Sequence, residues 1–266
     1  MSIQTNMRSF WKKYQFDVNQ TRLFKAGYSE IAVKHIQNGW LVKSEVVDQA
    51  SGDLLVEEVD ELVDGPNVLQ FYTDNSNELI AVPALPDKAV VFKNNKNIKI
   101  SAGESANLFF RIPLTLQFYF KEVKDENRLM EIPLQRLSDT WFGEIDSGEP
   151  AYSIGSNYYK SLKEVDARIW EAIASVEIIN NTFGVLDLQR LILRVEEFNL
   201  YRKGDQILTN YITIEFKGQD QAESVSLSTR DDIQGKNIVL IAKSRLSESR
   251  KLLRRSFFFI KNMYQN

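Results

Sequence analysis

Residues 30–47, EIAVKHIQNGWLVKSEVV, decide the fold class of this 266-residue chain. Apolar and polar residues alternate through Glu30–Ile36 and again through Trp40–Val47. Such alternation is typical of a β-strand with one buried face. The Asn38–Gly39 pair between the two runs favours a type I′ turn, because both central residues of that turn need a positive φ. The stretch therefore predicts a β-hairpin.

The same alternation recurs along most of the chain, with polar turns between the candidate strands. Further strands are predicted at Val68–Tyr72, Leu79–Val82, Ala89–Phe92, Ala106–Ile112, Leu114–Lys121, Leu186–Val195 and Ile207–Lys217. Many short strands separated by turns indicate a β-sandwich. We therefore expect a mainly β protein with two sandwich-like units, residues 1–165 and 166–242, the second of them immunoglobulin-like.

The last segment, residues 243–266, has a different pattern and predicts a short amphipathic helix. It holds seven basic residues and one acidic residue, a net charge of +6. On a helical wheel its apolar residues form one stripe and its bases lie opposite. The bases Arg250, Lys251, Arg254 and Arg255 are candidate contacts for a protein partner or an anionic membrane surface. The alternative is a helix that packs its apolar stripe on the sandwich and leaves its bases in solvent.

The composition excludes several kinds of site. The chain has no cysteine and a single histidine, His35, which rules out disulfides, thiolate metal sites and metal sites with several histidines. It contains no GxxxxGK[ST] phosphate-binding loop, and no GxGxxG follows a predicted strand. We accordingly predict neither a metal nor a cofactor.

The charge distribution bears on the choice of partner and compartment. The whole chain carries −3, so removing the +6 of the last segment leaves −9 on residues 1–242. An acidic body disfavours nucleic acid as a partner, because the phosphate backbone repels it. The first residues lack the apolar run of a signal peptide, and no window has the 18 or so apolar residues of a membrane span. We therefore expect a cytoplasmic protein.

The stretch most able to carry chemistry is SDTWFGEIDSGEPAY, residues 138–152. It places carboxylates beside aromatic rings, and its candidate ligand-binding residues are Asp139, Thr140, Trp141, Glu149 and Tyr152. Exposed aromatics beside carboxylates suit a sugar ring, clustered carboxylates suit a hard cation such as Ca²⁺, and paired carboxylates can hydrolyse glycosides. The alternative is a structural turn in which Asp139 caps backbone donors and Trp141 fills the core.

The runs SDTWFG and GEPAY within this stretch resemble the core motif of the prokaryotic family called domain of unknown function 432. Two further stretches, PALPDKAVVFKNN (83–95) and SVEIINNT (175–182), are similar to other parts of the same family. Pro150 and Ala151 depart from the residues expected between Glu149 and Tyr152. The resemblance implies membership of a family without an assigned activity.

Taken together, these patterns predict a non-catalytic binding or accessory module that engages a protein partner, with the basic segment as a peripheral contact at a membrane surface. The first alternative is a small-ligand or carbohydrate-binding protein that uses residues 138–152. A hydrolase that uses paired carboxylates is the third hypothesis and the one we favour least.

Overall fold

The computed structural model describes residues 10–60, 65, 67–143, 146, 148–155, 158–218, 224–228, 238–246 and 260–261. The protein is mainly β, as predicted: twenty strands dominate these residues, and the helical elements among them are three short 3-10 turns at 125–127, 162–164 and 195–197. Its residues cluster into two compact units, and each unit contains two sheets.

The two units interleave along the sequence, whereas the prediction divided the chain once, near residue 165. The first unit comprises residues 1–84, 113–136 and 168–170, and the second comprises 85–112, 137–167 and 171–266. Local patterning identifies strands but carries no information on which sheet a strand joins, so an interleaved division has no signature in composition or linkers.

The first unit pairs a five-stranded with a four-stranded sheet, both antiparallel. The five-stranded sheet has the order β5-β2-β3-β4-β6 and the four-stranded sheet the order β1-β7-β10-β11. The strands are β1 (Lys13–Gln15), β2 (Thr21–Ala26), β3 (Ser29–Ile36), β4 (Gly39–Val46), β5 (Leu55–Val59), β6 (Val68–Tyr72), β7 (Glu78–Ala84), β10 (Thr115–Phe120) and β11 (Arg128–Pro133). Phe24 of β2 meets Phe118 of β10 edge-on at 4.9 Å between ring centroids, which joins the two sheets in one core.

The predicted hairpin is present, but its turn lies one residue earlier than expected. Strands β3 and β4 pair from Ser29 opposite Val46 to Ile36 opposite Gly39, so Gln37 and Asn38 form the turn. The type I′ prediction for Asn38–Gly39 is wrong, because Gly39 (φ +148°) is a strand residue and Asn38 has no positive φ. A Cβ at Gly39 would lie 1.9 Å from the carbonyl oxygen of Phe71, so the glycine permits β6 to approach β4.

The second unit pairs a six-stranded with a five-stranded sheet, and both contain parallel neighbours. The six-stranded sheet has the order β19-β16-β17-β14-β9 with β18 also on β17, and the five-stranded sheet has the order β12-β13-β8-β15-β20. The strands are β8 (Ala89–Ile100), β9 (Ser105–Pro113), β12 (Ser138–Phe142), β13 (Glu149–Ile154), β14 (Glu171–Asn180), β15 (Leu186–Leu193), β16 (Leu200–Lys203), β17 (Gln206–Phe216), β18 (Ser224–Ser228), β19 (Val239–Ala242) and β20 (Ile260–Lys261). Phe92 and Phe110, with ring centroids 4.5 Å apart, join the sheets.

The parallel pairs β13–β8 and β14–β17 depart from the all-antiparallel sheets of the immunoglobulin arrangement expected for this unit. The predicted C-terminal helix falls largely outside the described residues, and this includes Arg250, Lys251, Arg254 and Arg255. Ile260 and Lys261 lie in the predicted helix, but they pair with Leu191 and Arg190 as strand β20.

Candidate functional site

The stretch singled out by the sequence forms an antiparallel hairpin of β12 and β13 at one edge of the mixed five-stranded sheet. Asp139 lies opposite Tyr152, Trp141 opposite Pro150, and Phe142 opposite Glu149. Successive side chains of a strand point to opposite faces of the sheet. Asp139, Trp141, Pro150 and Tyr152 therefore share one face of the hairpin, and Glu149 lies on the other.

The first face carries a chain of polar contacts. The Lys88 ammonium lies 2.8 Å from Oδ1 of Asp139 and 4.8 Å from the centre of the Tyr152 ring. The Tyr152 hydroxyl donates to Oδ1 of Asp87 at 2.9 Å. The hydrogen bond to Asp139 raises the pKa of Lys88, and burial together with the bond to Asp87 raises the pKa of Tyr152. At neutral pH this face therefore presents a charged Lys88–Asp139 pair beside a protonated phenol.

Trp141 extends this face toward solvent. Its side chain is 46% exposed, and among the described strands β12 is the outermost of its sheet. The guanidinium of Arg190 donates a hydrogen bond to the Trp141 carbonyl oxygen at 3.4 Å. Pro150, the residue opposite Trp141, has no N–H that could donate to this oxygen. The backbone of Trp141 is thus held while its indole remains accessible, so the interpretation that Trp141 fills the core is wrong.

The second face is built around a buried ion pair. Glu149 accepts from the guanidinium of Arg194, whose side chain is only 2% exposed. Close by on the same face, the guanidinium of Arg190 lies 5.6 Å from the centre of the Phe142 ring. Glu149 therefore neutralises a buried cation, which gives it a structural role.

Residues 10–261, nearly the whole chain, match the family model "Protein of unknown function (DUF432)". The chain belongs to the DUF432 family. No curated protein matches the chain, and no solved structure matches it either. The runs SDTWFG and GEPAY, on which the DUF432 resemblance rests, contribute the two paired strands β12 and β13 of one hairpin.

The hairpin of this DUF432 protein does not bring its candidate carboxylates together. Asp139 and Glu149 lie on opposite faces, and each is paired with its own base. Two carboxylates that hydrolyse a glycoside must flank the same bond from positions about 5–10 Å apart on one site. This arrangement opposes the hypothesis of a hydrolase that uses these two groups. Thr140 is half-buried opposite Ala151, on the face of Glu149.

Two further observations concern metals and membranes. Among the described residues, no group of three or more histidine, aspartate or glutamate side chains is placed to hold a metal ion. Within the same residues, no helix has the length and apolar character needed to cross a membrane.

Sequence reasoning missed four residues that complete the site: Asp87, Lys88, Arg190 and Arg194. Asp87 and Lys88 precede β8, whose parallel pairing with β13 sets Ala89 beside Ala151 and so brings them to Tyr152. The stretch PALPDKAVV contains both residues and was noted for its family resemblance, but nothing in it indicates which strand lies alongside. Arg194 follows an apolar strand, and a cation in that position offered no signal of its own.

Proposed function

We propose that this protein is a non-catalytic binding module that engages a protein partner through the β12–β13 hairpin, with Trp141 as the central contact. The observation that carries the proposal is the 46% exposure of Trp141 on an edge strand whose charged neighbours are already paired. Tryptophan is enriched among the residues that dominate binding energy in protein interfaces. Exposure of so large an apolar group is explained by a partner that covers it.

The edge position of β12 adds a second kind of contact. A strand at the end of a sheet presents backbone donors and acceptors on its outer side, and partner proteins often add an extended segment there. Beyond the paired Asp139 and Glu149, the hairpin carries the exposed Asp146 at its tip. A partner segment with a basic residue near this tip is therefore favoured by charge as well as by shape.

The basic segment 243–266 belongs to the same proposal. Its charge of +6 would contribute about 1 kcal/mol per basic residue near an anionic lipid surface, so it would act as a peripheral contact in the cytoplasm for a partner located at a membrane. One weak electrostatic contact anchors a protein only marginally, and the hairpin would supply the specific contact.

The test is affinity capture from a native lysate that includes solubilised membranes, with the full chain as bait. The bait is compared with Trp141→Ala and with Phe183→Ala, because Phe183 is also an exposed aromatic of the second unit, on a different loop. We expect a specific partner to be retained by the unchanged chain and by Phe183→Ala and lost by Trp141→Ala. Equal retention by all three baits would refute the role of Trp141.

One observation favours a second candidate, a carbohydrate-binding protein. Asp139 and Trp141 lie two residues apart on one face, which separates their Cα atoms by about 7 Å. A sugar that stacks on the indole would place its hydroxyls near the Asp139 carboxylate and the Lys88 ammonium. Rigid aromatic contact combined with paired polar groups is the usual chemistry of such sites.

This candidate is tested by screening the full chain on a glycan array and titrating any sugar found by calorimetry. We expect Trp141→Ala to weaken binding by roughly tenfold or more, which corresponds to 1.4 kcal/mol, and Phe183→Ala to leave it unchanged. Binding that survives Trp141→Ala would place the sugar elsewhere, and an array without a bound glycan would leave the protein-partner proposal as the better one.

A further inference from the structure

Strand β6 is the last strand of the described five-stranded sheet in the first unit. It ends the order β5-β2-β3-β4-β6, and among the described residues no strand pairs with its outer side. Its sequence, VLQFY, has no charged residue and no proline. Leu69 is 52% exposed and Tyr72 is 78% exposed. Edge strands of soluble proteins usually carry charges, prolines or bulges that prevent pairing with another chain, and β6 carries none of these.

The opposite edge of the same sheet shows the usual protection. Strand β5, LVEEV, presents the exposed carboxylates of Glu57 and Glu58, and Asp60 follows directly. Two copies of β5 brought together would set these carboxylates against each other, which is destabilising. One sheet therefore has a charged edge that repels a second copy and an uncharged edge that does not.

The sequence of β6 is complementary to itself in the antiparallel direction. Pairing of two β6 strands about Gln70 sets Leu69 opposite Phe71 and Val68 opposite Tyr72, twice each. Leu69 and Phe71 lie on the core face, since they sit opposite the buried Val42 and Trp40 of β4. Aromatic residues opposite β-branched or apolar residues are among the stabilising cross-strand pairs.

We propose that β6 is a self-association edge, at which a second copy of this chain pairs antiparallel with the first about Gln70. The occupant is a second copy because a two-fold antiparallel contact matches every apolar residue of the strand with another and creates no charge repulsion. Such a contact uses the same patch on both molecules and therefore closes at a dimer. It joins the β6-containing sheets of the two copies edge to edge and covers Leu69.

The absence of cysteine from the chain makes the test direct. In the register about Gln70, the two Gln70 Cα atoms would be about 4.5–5.5 Å apart, which a disulfide can bridge. We expect Gln70→Cys to form a disulfide-linked dimer under mild oxidation. Glu57→Cys, at the exposed opposite edge, is the matched control and should remain a monomer on denaturing gels.

Sedimentation equilibrium of the unchanged protein, which has no cysteine, supplies the second measurement. We expect a concentration-dependent dimer, and we expect Leu69→Lys to raise its dissociation constant by about tenfold or more, because it sets two ammonium groups close to the two-fold axis. Circular dichroism checks that this exposed substitution leaves the fold intact. A monomer at all concentrations overturns the proposal. So does a dimer that Leu69→Lys leaves unchanged, or a Gln70→Cys variant that crosslinks no better than Glu57→Cys.

Discussion

The guanidinium of Arg194 is ion-paired with the carboxylate of Glu149, and the Arg194 side chain is almost completely removed from solvent. A buried cation is costly unless an anion and hydrogen bonds compensate it. Glu149 comes from the family motif, so this residue of the motif secures the sheet from within, while Asp139 and Trp141 lie on the opposite face of the hairpin.

Glu149→Gln should therefore destabilise the protein far more than Asp139→Asn. Loss of Glu149 removes the carboxylate that pairs with the buried Arg194 guanidinium, and because Glu149 is 30% exposed we expect a cost of about 2 kcal/mol, below that of fully buried pairs. Loss of Asp139 breaks a solvent-exposed pair with Lys88 and should change stability little, because solvent screens such pairs. Urea unfolding of both variants measures the difference, and equal costs would contradict the structural role of Glu149.

The exposure of Trp141 predicts a specific fluorescence change. Trp40 and Trp170 are buried, at 0% and 3% exposure, and a collisional quencher such as iodide reaches them poorly. Trp141→Phe should therefore remove most of the iodide-accessible emission and shift the remaining spectrum to shorter wavelength. Trp11→Phe, which replaces a half-buried tryptophan, is the control and should remove less of it. A larger loss from Trp11→Phe would show that the indole of Trp141 is covered.

The strand pattern of this chain was predictable where the evidence for it is local. Alternation located β3 and β4 to within about one residue, because each strand buries one face and its residues follow that face. The turn between them was misplaced, since Gly39 is a strand residue that leaves room for the carbonyl oxygen of Phe71, on a strand 32 positions later in the chain.

The candidate site was predictable in residue content but not in arrangement. Asp139 and Trp141 were found because a rare cluster of acids and aromatics stands out in the sequence. That Asp139 meets Lys88 while Glu149 meets Arg194 depends on the pairing of β13 with β8 and on which face each residue occupies. Strand order is set by long-range packing, which has no period in the sequence, so the separation of the two carboxylates could not be inferred.

Gly27 and Gly204 offer a comparison between two left-handed glycines that differ in their surroundings. Their φ angles are +55° and +58°, so alanine suffers about 1 kcal/mol of backbone strain at either position. A Cβ at Gly27 would also lie 2.3 Å from the Leu134 carbonyl oxygen, whereas a Cβ at Gly204 has nothing within 4 Å. We expect Gly27→Ala to lower the midpoint of thermal unfolding clearly more than Gly204→Ala. Equal shifts would show that the turn at Gly27 moves away from Leu134 without cost.

The buried phenol of Tyr14 makes the free energy of unfolding depend on pH in the alkaline range. Burial raises the pKa of its phenol above the ordinary value of about 10, and the nearby Arg22 opposes this only in part. The unfolded chain then loses this proton first, so the contribution of Tyr14 is complete below pH 10 and is lost as the pH rises above it.

The corresponding variant is Tyr14→Phe, which removes the ionisable hydroxyl and its 2.7 Å hydrogen bond to the Phe10 carbonyl oxygen. At pH 7 we expect it to be less stable than the unchanged protein by about 1 kcal/mol. Urea unfolding at intervals from pH 8 to pH 11 should show this difference shrinking above about pH 10, because only the unchanged protein keeps a buried phenol protonated. A difference that stays constant over this range would mean that the Tyr14 phenol ionises equally in the folded and unfolded chains.

The side-chain hydrogen bonds of Asn180 stabilise one end of the second unit. Its side chain is fully buried, and its amide donates to the carbonyl oxygens of Ile100, Ser101 and Gly184 while Oδ1 accepts from the backbone and hydroxyl of Thr182. Asn180→Ala removes the amide donor from the carbonyl oxygen of the buried Ile100 and should cost about 2 kcal/mol, because an unsatisfied buried group carries a desolvation penalty. Asn181→Ala, at the exposed neighbouring position, should change stability by less than about 0.5 kcal/mol.

Hydrogen exchange gives a more local measurement of the same effect. The Gly103 amide donates to the backbone carbonyl oxygen of Asn180 at 2.8 Å, so loss of the Asn180 side chain should reduce its protection from exchange. Unchanged protection there would show that the strands hold this end together without the side chain.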